Sequence, residues 1–400
     1  MGPLAGLKVI DLTHVMAGPT CTLMLADMGA DVIKIEKIPD GDDTRRAVPP
    51  TIDGEAAAFM MMNRNKRGIA LDLKTAGGRR VLARLLEGAD VVVENYRPGT
   101  MARLGFDYEA LRKDNPGLIY CALSGFGRTG PYSHRGGFDL VAQAMSGIMS
   151  ITGEAPGRPP TKCGAPLTDI TCGIIAAMGI LAAYAHRLRT GRGQMVDTSL
   201  FEAGIVQTYW QSAIALATGV APGPMGSAHP LNAPYQAFEA ADGWIVIGGS
   251  NSRLWQRTLE VLGAEDLADD PRFRENADRM AHLAELEEAL APYFKARTSD
   301  DLLARFEQVG VPAGPVYDVL QMHADPQVRA REMVVAVEHA RLGPVETLGL
   351  PVKFSDTPGK VRTGAPVYGQ HTREVLRAHG FTDAEIEALL AEGAIAVADI

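Results

Sequence analysis

Short apolar runs alternate with amphipathic segments through the first third of the chain. The runs at residues 7–12, 31–36, 90–94 and 118–123 each contain at least three Val, Ile or Leu residues, and each fits a buried strand. Helical patterns occupy residues 19–29 and 75–86, and a further short helix is predicted after Asp107. Strands that alternate with helices in this way predict an α/β fold with a mostly parallel sheet that is covered on both faces.

An uncharged segment begins after Asp169 and ends at His186, shortly before Gly191. Its small and apolar residues predict a buried helix that ends at the glycine, with basic residues in its last turn. We expect Asp169 at the start of this helix, where unpaired backbone N–H groups stabilise a carboxylate. A Pro/Gly-rich loop at 161–166 comes before it, which suggests a carboxylate that faces a cleft, although an ordinary N-cap gives the same pattern.

The composition changes at residues 221–230, which are rich in Pro and Gly and predict a linker. A hairpin at 235–239 and 244–247 and polar amphipathic helices up to about residue 309 follow the linker. Beyond residue 325 the pattern predicts a strand near 333–337 and two helices near 370–378 and 383–390. We therefore expect a large α/β domain at 1–221, a smaller α+β domain at 222–325, and a return segment at 326–400 that completes the large domain.

Overall composition narrows the possible partners of this 400-residue chain. The formal net charge is -9 and no stretch clusters Lys and Arg, which argues against a nucleic-acid partner. The four cysteines lack metal-binding spacing and fit a reducing compartment, so no metal site is expected. We find no pattern of a secretory leader, and the apolar segment after Asp169 is short for a membrane span. A cytoplasmic protein without membrane contact is the expectation.

The strand at 7–12, with the turn and helix that follow it, forms a βαβ unit with the second strand at 31–36. Such a unit is typical of dinucleotide-binding proteins. The turn at residues 13–18 has a single glycine, whereas the dinucleotide fingerprint needs three, so we do not expect NAD. The loops at 63–68 and 124–139 are too rich in Gly, Asn and charge to be expected in the core. The second of them leaves the carboxyl end of a strand, which is where α/β sheets bind ligands.

Six motifs resemble those of class III CoA-transferases, the formyl-CoA transferase type, a superfamily that includes carnitine-CoA transferases and α-methylacyl-CoA racemases. The motifs are VIDLTHVMAGP at 9–19, GADVIKIE at 29–36, NKRGIALDLK at 65–74, VENYRPG at 93–99, GRGQ at 191–194 and GQHT at 369–372. They occur in order along the whole chain. The resemblance implies an interlocked homodimer whose large domain, with a mostly parallel, Rossmann-like sheet, is built from both chain ends.

The same resemblance implies that the protein moves CoA from an acyl-CoA to a free carboxylic acid. Asp169 matches the catalytic nucleophile of the family, which forms a mixed anhydride and then an aspartyl-CoA thioester. The CoA thioester is then a substrate, and no tightly bound cofactor is expected.

The family's CoA-binding positions correspond to residues on several loops of this sequence. They match His14, Val15, Ala17, Lys37, Leu71, Lys74, Arg103 and Arg135. Basic residues are required among them because CoA carries a pyrophosphate and a further phosphate. Met16, Gly226 and His229 match substrate or lid positions, and Met16 replaces a Gln that is common in formyl-CoA transferases.

Two alternatives to the transferase remain open. Racemases of this superfamily use a His in a Gly-His-Asp sequence as an acid/base group, whereas this chain has Phe138 between Gly137 and Asp139. A phenyl ring carries no proton, so we favour the transferase over the racemase. A CoA-binding protein without turnover is the other alternative. Residues 226–236 resemble transferases that use succinyl-CoA with dicarboxylate acceptors.

Overall fold

The computed structural model of the chain describes residues 2–399. The strands are β1 Lys8–Asp11, β2 Asp31–Lys37, β3 Thr51–Ile52, β4 Glu55–Ala56, β5 Arg67–Leu71, β6 Val91–Glu94, β7 Ile119–Ser124, β8 Met195–Ser199, β9 Tyr235–Glu239, β10 Trp244–Gly248, β11 Ala313–Pro315, β12 Val334–His339, β13 Gly343–Leu348 and β14 Ile395–Ala396.

The helices are α1 Ala17–Asp27, α2 Ala57–Asn63, α3 Ala76–Leu86, α4 Thr100–Leu104, α5 Tyr108–Asp114, α6 Asp139–Met145, α7 Ile148–Ile151, α8 Leu167–Thr190, α9 Leu200–Val206, α10 Tyr209–Thr218, α11 Ser252–Leu262, α12 Asn276–Ala281, α13 Leu283–Lys295, α14 Ser299–Val309, α15 Val319–Ala324, α16 Pro326–Ala330, α17 Thr372–Ala378 and α18 Asp383–Ala391. Side-chain caps fix several of these helix starts, among them Thr75 before α3 and Asp107 before α5.

The chain divides into two compact units. The first contains the chain up to residue 148, residues 163–207, and the chain from residue 326 onward. The second contains residues 149–162 and 208–325.

A seven-stranded sheet forms the centre of the first unit, with the strand order β14-β5-β2-β1-β6-β7-β8. Every pairing is parallel except that of β14 with β5, so the mostly parallel α/β sheet expected from the sequence is confirmed. The chain runs outward from β1 to β2 and β5, and then returns to β6 on the other side of β1. The strand order therefore reverses between β1 and β6, a point at which α/β sheets open a crevice for ligands.

Alternate residues of the strands enter two separate apolar cores, one on each face of the sheet. Val9 of β1 and Val91 of β6 pack with α1 and α8, whereas Ile10 and Val92 pack with α3, α17 and α18. Burial on both faces explains why these strands read as apolar runs rather than as alternating ones. Helices from the last part of the chain thus cover the face opposite α8.

Helix α8 is the longest helix on its face of the central sheet, and it packs closely against α1. A Cβ atom at Gly173 would lie 2.6 Å from the Ala17 carbonyl oxygen and 2.7 Å from Thr20 Cβ, so only glycine permits this contact. The helix has 24 residues and is long and apolar enough, by length and composition alone, to cross a membrane. Core helices of soluble proteins pass the same test, and here Cys172, Ala176 and Ile180 are fully buried in the core.

Two expectations about this helix were wrong. The helix is not buried all round, because Ile174 and Met178 are 49% and 63% exposed. It begins at Leu167, so Asp169 lies in its first turn as expected, but no backbone N–H of the described residues donates to the Asp169 carboxylate, contrary to the expected stabilisation. Leu167 and Thr168 extend the helix backward because Asp139 binds the Thr168 amide in the way that an N-cap side chain would.

The second unit consists of the three-stranded antiparallel sheet β11-β10-β9 and helices α11 to α14 around one apolar core. Its first helix, α10, lies before residue 222, where the sequence placed the domain boundary. The Trp210 ring of α10 contacts the His229 ring edge-on, with centroids 5.7 Å apart, and His229 in turn packs on Tyr235. This aromatic contact links α10 to the start of β9 within the second unit.

The loop expected at residues 63–68 is also different in the structure. Asn63, Arg64, Asn65 and Lys66 are buried, and Arg67 begins the central strand β5. Charge and amide groups enter the core here because each finds a partner: Arg64 donates to Asp27 at 2.6 Å, and Lys66 donates to Asp11 at 3.1 Å. Charge in a sequence pattern therefore does not exclude burial when a counter-charge is available.

Candidate active site

A pocket of about 210 Å³ opens where the strand order reverses, at the carboxyl ends of β1, β6 and β7. It is lined by residues of five segments of the first unit: His14, Val15, Met16 and Ala17 after β1; Asn95, Tyr96, Arg97 and Pro98 after β6; Leu123, Ser124, Gly125, Arg135, Gly136, Gly137 and Phe138 at and after β7; Asp169 from α8; and Leu200 from α9.

The turn after β1 is clamped to the segment after β6. The His14 amide donates to Asn95 Oδ1 at 3.0 Å, and Asn95 Nδ2 donates to the His14 carbonyl at 2.8 Å. The His14 ring also packs against Tyr96, with ring centroids 5.5 Å apart. Burial lowers the pKa of His14 below its usual value, so its ring is neutral at pH 7.

The segment after β7 folds back on itself to form the opposite wall. A Cβ atom at Gly137 would lie 2.5 Å from Gly125 Cα, so both positions require glycine for the two backbone segments to touch. The contact brings Arg135 and Phe138 to the pocket, where the Arg135 guanidinium lies 4.0 Å from the centre of the Tyr132 ring. Phe138 is 75% exposed and occupies the N-cap position of α6.

Asp169 is a carboxylate without a hydrogen-bond donor among residues 2–399. Burial, and next the negative charge of Asp139, raise the pKa of Asp169 to about 7. A carboxylate that is partly desolvated and not hydrogen-bonded retains more of its basicity than a fully solvated one, and it is a stronger nucleophile when ionised. The group is therefore poised to attack an electrophilic carbonyl close to neutral pH.

Asp139 forms hydrogen bonds that hold the start of α8, and its negative charge also raises the pKa of Asp169. Its Oδ1 atom accepts the Thr168 amide at 2.9 Å and the Thr168 hydroxyl at 2.8 Å. Its Oδ2 atom accepts Gln143 Nε2 at 2.7 Å, and Gln143 Oε1 in turn accepts the Cys163 amide at 2.9 Å. These bonds fix Asp139 beside Asp169, so its charge acts on the neighbouring carboxylate from a defined position.

The structure brings several of the residues expected from the sequence into this pocket. They are Asp169, the CoA-binding candidates His14, Val15, Ala17 and Arg135, and the substrate candidate Met16. Lys37, Lys74 and Arg103 do not line the pocket: Lys37 is the last residue of β2, Lys74 comes shortly after β5, and Arg103 lies in α4, the helix that follows β6. Lys37 pairs with Asp43 at 2.6 Å.

Leu71 is the candidate that the structure supports least. Its side chain is 1% exposed and belongs to the core between the sheet and α3, so it offers no side-chain surface to a ligand. The candidates Gly226 and His229 belong to the second unit. There Gly226 adopts a left-handed conformation with φ 60° and donates its amide to Gly153.

Sequence reasoning overlooked the pocket residues Asn95 and Arg97, and also Asp139, which lies next to the pocket-lining Phe138 in the chain. Asn95 and Arg97 lie in the VENYRPG motif, and their position directly after β6 was the signal that could have identified them. Nothing in the sequence places Asp139 against Thr168, because that contact depends on tertiary packing of α6 with α8. Among residues 2–399, no group of three or more His, Cys, Asp or Glu residues could hold a metal ion.

Comparison with known proteins agrees with the fold and with the motifs. The profile of CoA-transferase family III matches residues 4–372. The succinate–glutarate CoA-transferase of Agrobacterium fabrum is 41% identical over 94% of this chain and 95% of its own length. The acetyl-CoA:oxalate CoA-transferase of Acetobacter aceti is 43% identical over 91% of this chain and 92% of its own length.

The fold of this chain also matches that of a solved structure. The crystal structure of a CAIB/BAIF family protein from Brucella suis has a TM-score of 0.85 and 41% identity, and it covers 94% of this chain and 99% of that chain. The chain belongs to CoA-transferase family III. It is a CoA-transferase, and CoA thioesters are its substrates.

Replacing Asp139 by Asn tests the electrostatics of the pocket. We expect the acidic midpoint of the kcat/KM profile, which reports ionisation in the free enzyme, to fall by about one pH unit because a like charge next to Asp169 is removed. The sign follows from the raised pKa: Asp169 is protonated and inactive below about pH 7, and loss of Asp139 extends activity to lower pH.

Asp197→Asn is the matched control, because Asp197 is a carboxylate of the same unit that does not contribute to the pKa shift of Asp169. Its profile should coincide with that of the unmodified enzyme. A midpoint that stays unchanged in Asp139→Asn would contradict the coupling between the two carboxylates.

Proposed function

We propose that this enzyme transfers CoA from succinyl-CoA to a dicarboxylic acid through covalent intermediates on Asp169. The observation that carries the proposal is a carboxylate in the pocket with no hydrogen-bond donor among the described residues and a pKa raised to about 7. A residue that served only to bind a cation or cap a helix would be expected to have a low pKa instead.

In the first half-reaction, the Asp169 carboxylate attacks the thioester carbonyl of the donor. A C–O bond forms, the C–S bond breaks, and the products are a mixed anhydride and the CoA thiolate. The thiolate then attacks the aspartyl carbonyl, which yields an aspartyl-CoA thioester and releases the donor acid. No proton is consumed, so the pocket needs no general acid beside Asp169.

In the second half-reaction, the acceptor carboxylate attacks the aspartyl-CoA thioester and displaces the thiolate. The thiolate attacks the acyl carbonyl of the acceptor in the new anhydride, which produces the new acyl-CoA and regenerates Asp169. Because an anhydride hydrolyses readily, the pocket must restrict water while it admits the two acids in turn. Leu123, Phe138 and Leu200 supply apolar surface around Asp169 for this purpose.

Dicarboxylic substrates are supported by the relatives and by the charge of the pocket. Relatives of 36% to 41% identity are named as CoA-transferases that use succinate or succinyl-CoA with glutarate or mesaconate. Arg97 and Arg135 both line the pocket, and a guanidinium matches a carboxylate or phosphate geometrically. We assign to these arginines and to His14, Val15 and Ala17 the binding of acyl-CoA, together with Lys37, Lys74 and Arg103 outside the pocket.

We also propose the interlocked homodimer that the family resemblance implies. Its support is apolar surface on the first unit that no described residue covers, including Leu140 and Met145 of α6 and Ile174 and Met178 of α8. Helices α6 and α8 contact each other, and exposed apolar residues on neighbouring elements are typical of subunit interfaces. Met178, which is 63% exposed, lies on the helix that also carries Asp169.

Asp169→Asn tests the covalent mechanism. We expect turnover to fall by about a thousandfold or more, since an amide cannot replace a covalent nucleophile. The unmodified enzyme, incubated with succinyl-CoA and no acceptor, should yield a hydroxamate at Asp169 when hydroxylamine is added, as read by peptide mass spectrometry. Asp197→Asn should retain both turnover and adduct. Near-normal turnover in a folded Asp169→Asn variant would show that Asp169 is not the nucleophile.

The same variant has a predicted effect on stability. The pKa of Asp169 is raised on folding, so its ionised form opposes folding, an effect that is small at pH 4 and grows until the pH passes about 7. Asp169→Asn should therefore raise the unfolding midpoint more at pH 8 than at pH 4 in thermal denaturation. An equal change at the two pH values would contradict the raised pKa.

The oligomer is tested by subunit exchange. If the chains interlock, a dimer diluted to nanomolar concentration should remain a dimer by mass photometry. Tagged and untagged dimers, once mixed, should form no mixed dimers until they are unfolded and refolded together. A folded monomer upon dilution would contradict the proposed assembly.

A further inference from the structure

A buried network of charged groups lies directly beneath the turn after β1. Asp11, Lys34 and Lys66 have fully buried side chains, and Asp42 is 3% exposed. Lys34 Nζ lies 2.9 Å from Asp42 Oδ2 and donates to the Thr13 carbonyl at 2.8 Å. None of these groups lines the pocket, yet the network touches the backbone of the turn that does.

The turn itself has a strained backbone. Val15 has a φ of 71°, in the left-handed region that a β-branched residue rarely adopts. Such a conformation persists only when the surrounding structure holds it in place. The strain lies between His14 and Met16, which both line the pocket.

Asp42 is the group that holds this conformation. Its Oδ1 atom accepts the Val15 amide at 3.1 Å and also the Thr44 amide and hydroxyl at 2.9 and 2.8 Å. Although burial alone raises it, the pKa of Asp42 is well below its usual range because Lys34 and the Thr44 bonds stabilise the carboxylate. The Val15 amide thus donates to a permanently ionised acceptor, which gives a stronger bond than a neutral one.

The loop that carries Asp42 is anchored to β2 and to the last part of the chain. The Asp42 amide donates to Glu36 Oε2 at 2.9 Å, and Arg45 binds the same carboxylate through two nitrogens at 2.7 and 2.8 Å. Arg45 also donates to the Pro366 carbonyl and stacks on the Phe59 ring at 3.5 Å. These contacts hold the loop in place, so the Asp42 carboxylate is positioned to accept the Val15 amide.

We infer that Asp42 is a positioning residue for CoA transfer: through its bond to the Val15 amide it keeps the turn at residues 13–17 in the shape that receives acyl-CoA. The inference rests on the proposed role of this turn in CoA binding. Asp42 acts through the turn and does not touch the reacting atoms. Its loss should weaken substrate binding rather than the chemical step.

Steady-state kinetics of Asp42 variants test this role. Asp42→Ala should raise KM for the acyl-CoA donor by about tenfold, the scale of one charge-assisted hydrogen bond, and leave kcat within about twofold. Asp42→Asn retains an oxygen for the Val15 amide and should give a smaller increase. Val15→Gly in the Asp42→Asn background should reduce that increase, because glycine adopts a positive φ without strain.

Asp27→Ala is the matched control for the loss of a buried ion pair. Asp27 is fully buried and pairs with Arg64 at 2.6 Å, but neither residue touches the turn after β1. This variant should lower the unfolding midpoint and leave KM for acyl-CoA unchanged. If Asp27→Ala raised KM as much as Asp42→Ala, the effect would be one of general stability and the inference would be wrong.

His14→Ala separates failure of this inference from failure of the proposed site. If His14→Ala raises KM for acyl-CoA and both Asp42 variants leave it unchanged, the turn binds CoA without help from Asp42 and the inference is overturned. If neither His14→Ala nor the Asp42 variants change KM, the turn does not bind CoA and the proposed site itself is wrong. A KM increase in Asp42→Asn that Val15→Gly leaves intact would also overturn the link through the strained turn.

Discussion

The partly buried carboxylate of Asp169, next to the negative charge of Asp139, is the feature on which the proposed chemistry of this protein depends. A carboxylate exposed to water would ionise readily and attack weakly, and one that accepted several N–H groups would be weaker still. Here burial and a fixed like charge raise its pKa to about 7, and no described residue donates to it. The bonds of Asp139 to Thr168 and Gln143 keep that like charge in place.

The proposed chemistry also requires a pocket beside Asp169, and the topology of the central sheet provides it. The strand order reverses between β1 and β6, so the loops after these strands diverge and leave a pocket over the start of α8. The loops are then fixed by polar contacts instead of apolar packing: Asn95 clamps His14, and Asp42 holds Val15. Rigid loops of this kind suit the proposed mechanism, in which two acids bind in turn at one carboxylate.

Much of this arrangement could be predicted from the sequence, because the central strands are buried on both faces and so appear as apolar runs. Asp169 was found for a similar reason, since it precedes an uncharged helix of unusual length. The exact position of Asp169 in the helix could not be predicted, because Asp139, which is distant in sequence, extends the helix backward to Leu167. The burial of Arg64 and Lys66 was missed because their partners, Asp27 and Asp11, come from other elements.

The central claim is that oxygen passes through the side chain of Asp169 during transfer. We would supply the acceptor acid labelled with oxygen-18 in its carboxylates, allow many turnovers, and determine the mass of the peptide that contains Asp169. The covalent route predicts that one or both oxygens of this side chain acquire the label, since the bridging oxygen of the second anhydride remains with the enzyme. Labelled product acid with an unlabelled Asp169 would show direct attack of the acceptor on the donor, and would contradict the account.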